Sequence, residues 1–327
     1  MTAFDNIPGL KAQLDEVSDR ARAIALELPP REPLTQVLDF IFSVSGKQLR
    51  PALLLLFGRA GRRYPDCERQ LLTAGAVIEL THMASLIHDD IVDDSPTRRG
   101  RSTLQSEFGK DMAVYGGDYL LSLVLTQLLC PDMLEPGQVL AKSISDMCGG
   151  ELGQYAAQFD VQTDENRYFT NISGKTAALF SAACRMGALI SGWSLEELDL
   201  AEHFGHSFGM IFQLRDDLID CVPNSGDDGK KHGMDFINGV YTLPVLYSFK
   251  DPEHGPRLRA LAENATSMAP DKLSDELYKH ISAAGGIDYT RRVIKRLRDS
   301  ALDSIAQMPS ARLREQLTAL LDEIMDY

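Results

Sequence analysis

The sequence predicts an all-α fold, a single large helical domain over residues 1–327. Prolines are absent from 97 to 130 and from 137 to 222, so long helices can run there unbroken. Apolar residues in those stretches recur at three- and four-residue spacing, as at Leu120, Leu123, Val124 and Leu128. β-Branched residues are sparse and never alternate over six or more positions, so no strand is expected. No Pro/Gly/Ser-rich linker divides the chain, which favours one domain over two.

In chain order, helices are expected over about 4–27, 32–45, 51–62, 68–94, 110–130, 136–162, 166–190, 197–222 and 240–248, and over most of 255–325. The third opens on the apolar run Pro51 to Gly58, and the fifth holds Leu120 to Cys130. The fourth and eighth are apolar for several turns and then end in aspartates. The next two after the fifth lie in the proline-free stretch. Alternating charges in TRRVIKRLRDSALDSIA mark the C-terminal third as amphipathic helices on a core. Pro223 to Gly233 carries the strongest loop signal in the chain.

Composition excludes several functions. With 33 Lys and Arg against 47 Asp and Glu, the net charge is −14, which disfavours nucleic-acid binding and a polybasic membrane anchor. Five cysteines without a CxxC pair suggest neither a disulfide framework nor a zinc knuckle, and fit a reducing, cytoplasmic setting. The N-terminus lacks a signal pattern, and the apolar runs read as too short for stable membrane insertion.

The chemistry concentrates in two acidic clusters. Asp89, Asp90, Asp93 and Asp94 close one apolar helix, with Asp89 and Asp93 at i and i+4 on one face. Like charges at the negative end of a helix dipole are unfavourable unless a cation sits there. The pattern returns at Asp216, Asp217 and Asp220. One DDxxD can be surface decoration; two, each ending an apolar helix, argue against that. All-oxygen ligands favour Mg²⁺ over zinc. His82 and His88, six residues apart, lie on different faces and cannot easily chelate one ion. Two carboxylate clusters holding Mg²⁺ suit a diphosphate and its departure as a leaving group.

Four basic elements are candidates to meet that diphosphate: Gly46 to Pro51, Arg98-Arg99-Gly100, Gly174-Lys175-Thr176 and Gly229 to Gly233. Each alone reads equally as solvated surface. A P-loop at Ser-Gly-Lys-Thr fails, because Phe169 stands where the first glycine should be and no strand precedes it. There is no GxSxG nucleophile motif either.

In order, GKQLRP, ELTHMASLIHDDIVDDSPTRRG, GDYLL, GKTAALF, FQLRDDLID, GKKHGMDF and TLPVL resemble the trans-isoprenyl (polyprenyl) diphosphate synthase family from about Gly46 to Pro244. The resemblance implies an all-α isoprenoid-synthase fold around a deep central cavity. It implies a homodimer in most members and, in some medium-chain members, a second accessory subunit. Asp89, Asp90, Asp93, Asp216, Asp217 and Asp220 would then hold Mg²⁺, three ions with diphosphate bound. Lys47, Arg50, His82 and Arg99 would bind isopentenyl diphosphate. Arg98, Lys175 and Lys230 would clamp the allylic diphosphate, and Thr176 and Gln213 would turn oxygen dipoles toward the developing carbocation. Val240 departs from the pattern, since a lysine commonly follows the glycine there; Lys231 could compensate.

Product length is read from the helix of the first cluster. Val77, Thr81 and Ala84, with Ser85 beside them, form a stripe of modest side chains leading away from the aspartates. In short-chain members an aromatic residue closes the pocket at the position of Ala84. Each turn adds ~5.4 Å, so an open stripe leaves room for a linear product of about C30 to C40. Against this, small residues can serve close helix packing alone, and Tyr119 or Met147 could close the tunnel for a farnesyl or geranylgeranyl product. A class I terpene cyclase is the other enzymatic alternative, disfavoured by the second DDxxD.

Overall fold

The computed structural model describes residues 7–27, 32–43, 46–98, 100–222 and 232–325. The helices are α1 Leu10–Ala25, α2 Leu34–Phe42, α3 Leu49–Arg59, α4 Glu68–Val92, α5 Leu104–Phe108, α6 Lys110–Leu128, α7 Leu134–Tyr155 and α8 Glu165–Ile172. They continue as α9 Ala178–Ile190, α10 Leu195–Cys221, α11 Met234–Ile237, α12 Leu243–Ser248, α13 His254–Asn264, α14 Pro270–Ala283, α15 Gly286–Gln307 and α16 Ala311–Met325. The all-α expectation holds. One two-residue hairpin departs from it: β1 Thr97–Arg98 pairs antiparallel with β2 Arg101–Ser102. A ladder that short has no alternation to read.

The chain forms two compact units, Met1–Ala141 with Ala182–Glu202, and Lys142–Ser181 with His203–Tyr327. Each junction falls inside a helix, α7, α9 or α10, so no linker composition marks it.

The first unit is built on α4. It packs against α1, α3 and α6, and α3 is buried without interruption from Pro51 to Gly58. A helix apolar on every side belongs in a core. By length and composition α4 could cross a bilayer, contrary to the expectation that every apolar run is too short; 61% of its apolar window is buried within the protein. The start of α10 is fixed by a capping box. Ser194 Oγ accepts from the Glu197 amide at 3.3 Å and Glu197 Oε2 accepts from the Ser194 amide at 2.7 Å. Arg62 forks onto both Glu197 oxygens at 2.7 Å each, which draws the Glu197 carboxyl down to about 2.

In the second unit, Phe204, Phe208, Phe180 and Phe212 meet in that order between α9 and α10 as tilted pairs, with ring centroids 5.4–5.9 Å apart. The C-terminal helices pack as α12 on α15, α13 on α14, and α15 on α14 and α16. The predicted helix over 166–190 is interrupted by a π-helical turn at Ser173–Ala177, whose Ser173 carbonyl accepts from the Ala178 amide. The helix predicted to 162 stops at Tyr155, and the helix predicted from 240 starts at Leu243, where Pro244 fits the first turn. Short α5 and α11 were not expected. The loop predicted at Pro223 to Gly233 lies largely outside the described residues.

Candidate active site

The first acidic cluster closes α4. Asp90 is buried, Asp89 half-buried and Asp93 exposed. The hairpin turns Arg98 back so that its Nε donates to Asp90 Oδ1 at 2.8 Å. Burial raises the Asp90 carboxyl, and Arg98 opposes that shift. Arg98, assigned by resemblance to an allylic diphosphate, thus rests on a carboxylate of the cluster. Gln105 holds the end of α4 by donating to the Asp90 carbonyl at 2.5 Å. Asp94 pairs with Lys110 at 2.8 Å.

Of the residues assigned to isopentenyl diphosphate, the fold joins two. Arg50, in the first turn of α3, lies with Nη1 3.1 Å from His82 Nε2. A guanidinium has no lone pair to offer, so His82 Nε2 accepts and its proton sits on Nδ1. Lys47 is exposed on the segment before α3; Arg99 lies outside the described residues. On the proposed tunnel stripe, Val77, Thr81 and Ala84 are buried and Ser85 is half-buried. Thr81 donates to the Val77 carbonyl at 2.8 Å, leaving its methyl as the surface it shows. Tyr119 donates to the Ala25 carbonyl at 3.2 Å, and Met147 is half-buried.

The second cluster anchors a connected network. Thr176 Oγ1 donates to Gln213 Oε1 at 2.6 Å, and Gln213 Nε2 donates to Asp217 Oδ1 at 2.8 Å. Tyr168 donates to the other Asp217 oxygen. Asp217 is 2% exposed, and burial pushes its carboxyl up to about 7 despite both donors. Asp216 is exposed. Asp220 accepts from the amides of Met234 and Asp235 at 3.2 Å each, fastening α11 to the end of α10; burial raises its carboxyl too. Lys175 pairs with Glu151 at 3.0 Å. Gly150 makes this possible: a Cβ there would stand 2.3 Å from the Lys175 amide nitrogen. A cavity of about 90 Å³ is lined by Tyr168, Lys175, Gln213, Asp217, Asp235 and Val240. Lys230 and Lys231 lie outside the described residues.

Sequence reasoning missed Tyr168, Glu151 and Asp235. Tyr168 sits 49 residues from its partner. Only the GMDF segment, next to the loop signal, could have drawn attention to Asp235.

Among the described residues, no three His, Cys, Asp or Glu side chains converge as a preformed metal cage. The donor set nonetheless fits Mg²⁺, which retains waters and is held through one or two carboxylates plus substrate phosphates. Asp90 and Asp217 are carboxylates that burial drives toward the neutral form, a bias a bound dication reverses.

An all-α chain with two DDxxD helix ends and a buried carboxylate network defines a prenyl diphosphate-handling enzyme. Residues 31–281 match the family model described as polyprenyl synthetase. The heptaprenyl diphosphate synthase component 2 of Geobacillus stearothermophilus is 34% identical over 319 residues, 95% of this chain and 97% of that protein. The crystal structure of heptaprenyl diphosphate synthase from Staphylococcus aureus superimposes with a TM-score of 0.87 at 29% identity, covering 97% of this chain and 98% of that one. That of geranylgeranyl pyrophosphate synthase from Lactobacillus brevis gives 0.86 at 28%, covering 99% of both. The chain belongs to the polyprenyl synthetase family, and it is a prenyl-transferring diphosphate synthase.

Proposed function

We propose that this chain condenses isopentenyl diphosphate with an allylic diphosphate to give a linear trans-polyprenyl diphosphate of about C30 to C40, a length favoured by the small Thr81 and Ala84 side chains on α4, where each turn adds ~5.4 Å. The observation that carries the reading is the buried Thr176–Gln213–Asp217–Tyr168 network at the second DDxxD. A buried carboxylate next to Asp216 and Asp220 is costly alone and suited to a divalent cation.

Asp89, Asp90, Asp93, Asp216, Asp217 and Asp220 would hold Mg²⁺, which when bound neutralises the leaving diphosphate. Heterolysis of the allylic C–O bond sends its electron pair out with diphosphate. The isopentenyl double bond supplies the pair for the new C–C bond, and a proton then leaves to the departed diphosphate. Thr176 fixes the Gln213 carbonyl dipole, and Gln213 in turn orients Asp217. Lys175 supplies a cation for the allylic diphosphate, with Arg50 and His82 serving isopentenyl diphosphate.

The long-product reading draws support from Ala84 and Thr81 and from the two similar heptaprenyl synthases. Because the geranylgeranyl synthase superimposes equally well, fold alone does not set length. We also infer a cytoplasmic enzyme that pairs with a second copy or an accessory subunit. Val114, Tyr115 and Leu125 on α6 and Leu129 beyond it are exposed apolar side chains that such a contact would cover.

The test is product analysis after incubation with Mg²⁺, labelled isopentenyl diphosphate and, separately, dimethylallyl, geranyl, farnesyl or geranylgeranyl diphosphate. Label in linear products of about C30 or longer is expected. A stop at about C15 or C20 would keep the reaction and refute the open stripe. Hydrocarbon without label would mean cyclisation.

A further inference from the structure

A wide, solvent-open groove of about 650 Å³ lies in the C-terminal unit and shares no residue with the cavity beside Asp217. Its walls are Tyr247, Tyr289, Arg292, Lys295, Arg296 and Asp299. The frame beneath it is tight. Gly286 lies so close to α12 that a Cβ would stand 2.2 Å from the Pro244 carbonyl oxygen. Thr290, Val293 and Ile294 are buried, so α15 turns the opposite face outward. On that face Arg292 and Arg296 are i and i+4, with Lys295 between them and Asp299 one turn on.

The two tyrosines form a flat wall, ring centroids 4.2 Å apart at 16°. The Tyr289 hydroxyl donates to Glu165 Oε2 at 2.7 Å, and the other Glu165 oxygen takes Lys250 at 2.5 Å. The wall is therefore fixed from behind. Arg292 lies over the Tyr289 ring at 5.9 Å.

Charge makes the place unusual. On the same helix, Arg291 pairs with Asp288 and Arg298 with Asp322. Among the described residues, Arg292, Lys295 and Arg296 have no carboxylate within ion-pair distance, although the chain carries −14 overall. In the lining itself three cations face one carboxylate, Asp299, while Glu165 lies behind the Tyr289 hydroxyl, which Arg296 also reaches. Guanidinium forks and an ammonium grouped beside an aromatic wall match phosphate oxygens better than any neutral ligand.

We propose that the α12/α15 groove binds a phosphate or diphosphate group through Arg292, Lys295 and Arg296, without a metal ion. A phosphate free in solution and one on a lipid headgroup offer the same recognising chemistry. Unlike the aspartate clusters, whose anion binding runs through a dication, this site should work in chelator.

The experiment uses the full chain in EDTA. Titration calorimetry with inorganic diphosphate should show binding that weakens by about tenfold or more in R292A/K295A/R296A and steepens in salt dependence in the wild type. D299N, which removes the one opposing charge, should tighten it by a few-fold, roughly 2–5 times. All four side chains are exposed, so the variants should fold, and Mg²⁺-dependent prenyl transfer should keep its turnover. Co-sedimentation with phosphatidylglycerol vesicles, against phosphatidylcholine, separates the sources. Arginine-dependent capture by the anionic vesicles identifies a headgroup, and diphosphate binding without capture identifies a soluble ligand. Binding of neither probe, or diphosphate binding indifferent to the triple substitution, overturns the proposal. Loss of prenyl transfer in the wild type would bear on the synthase reading alone.

Discussion

Replacing Asp217 by Asn should make the metal-free protein more robust in alkaline solution while costing it its metal response. Burial raises the Asp217 carboxyl from the ordinary 3.8 to about 7. The folded state therefore holds a proton that the unfolded chain has already released, so stability is highest below the unfolded value and falls as pH rises through about 7. Between about pH 5 and about pH 8 that loss amounts to ~2–3 kcal/mol. Asn carries no such penalty at either pH. It does replace one accepting oxygen by a donor, so either Tyr168 or Gln213 must turn, at a cost of ~1–3 kcal/mol that does not vary with pH. Urea unfolding followed by far-UV circular dichroism in EDTA, for wild type and D217N at both pH values, isolates the effect. The variant should gain ~2–3 kcal/mol on wild type across the interval, and Mg²⁺ with diphosphate should then stabilise wild type much more than D217N. A difference between the two proteins that stays constant with pH would refute the argument that burial destabilises the Asp217 charge.

Other substitutions probe the remaining parts. Thr176→Val leaves Gln213 Oε1 without its donor and lets the amide rotate, so turnover should drop by about tenfold or more with little change in KM, measured by steady-state kinetics. Ala84→Phe should shorten the principal product to about C15 or C20, one to several helical turns less than wild type, by chromatography of the labelled products; an unchanged length would mean that the stripe is only packing. Glu197→Gln keeps an amide oxygen for the Ser194 amide but breaks the charged Arg62 fork, and should cost ~1 kcal/mol at neutral pH in thermal unfolding. Because the Glu197 carboxyl is lowered to about 2, its contribution is present above the unfolded value near 4.5 and vanishes as pH falls toward 2, so the variant and wild type should converge in acid.

The sequence made the helices legible wherever one residue's neighbours in space were its neighbours in the chain. The proline-free stretches, the apolar α3 and α4 and the aspartates at both helix ends all followed from local spacing. What it hid was set by distant partners. Tyr168 reads as an ordinary aromatic until α10 brings Asp217 to its hydroxyl. That Arg98 rests on Asp90 shows only once the β1–β2 hairpin folds it back. The hairpin has two residues per strand, below the length at which alternation can speak. α5 and α11 were missed for the same reason, being a turn or so of helix held by their surroundings. The two-unit division left no trace because the chain changes unit within helices.

The wide turn at Ser173–Ala177 has a consequence for how this protein can change. Inserting one residue into a helix swings everything beyond it by ~100° about the axis. Counting threes and fours through that turn assigns the wrong residues to a common face, and aligning it without a gap conceals the extra residue. Deleting Ser173, Gly174 or Lys175 to make the helix regular would turn Thr176 away from Gln213 relative to the residues before it. Here the more regular backbone is the defective one, so the irregularity itself is what a lineage making this product has to inherit.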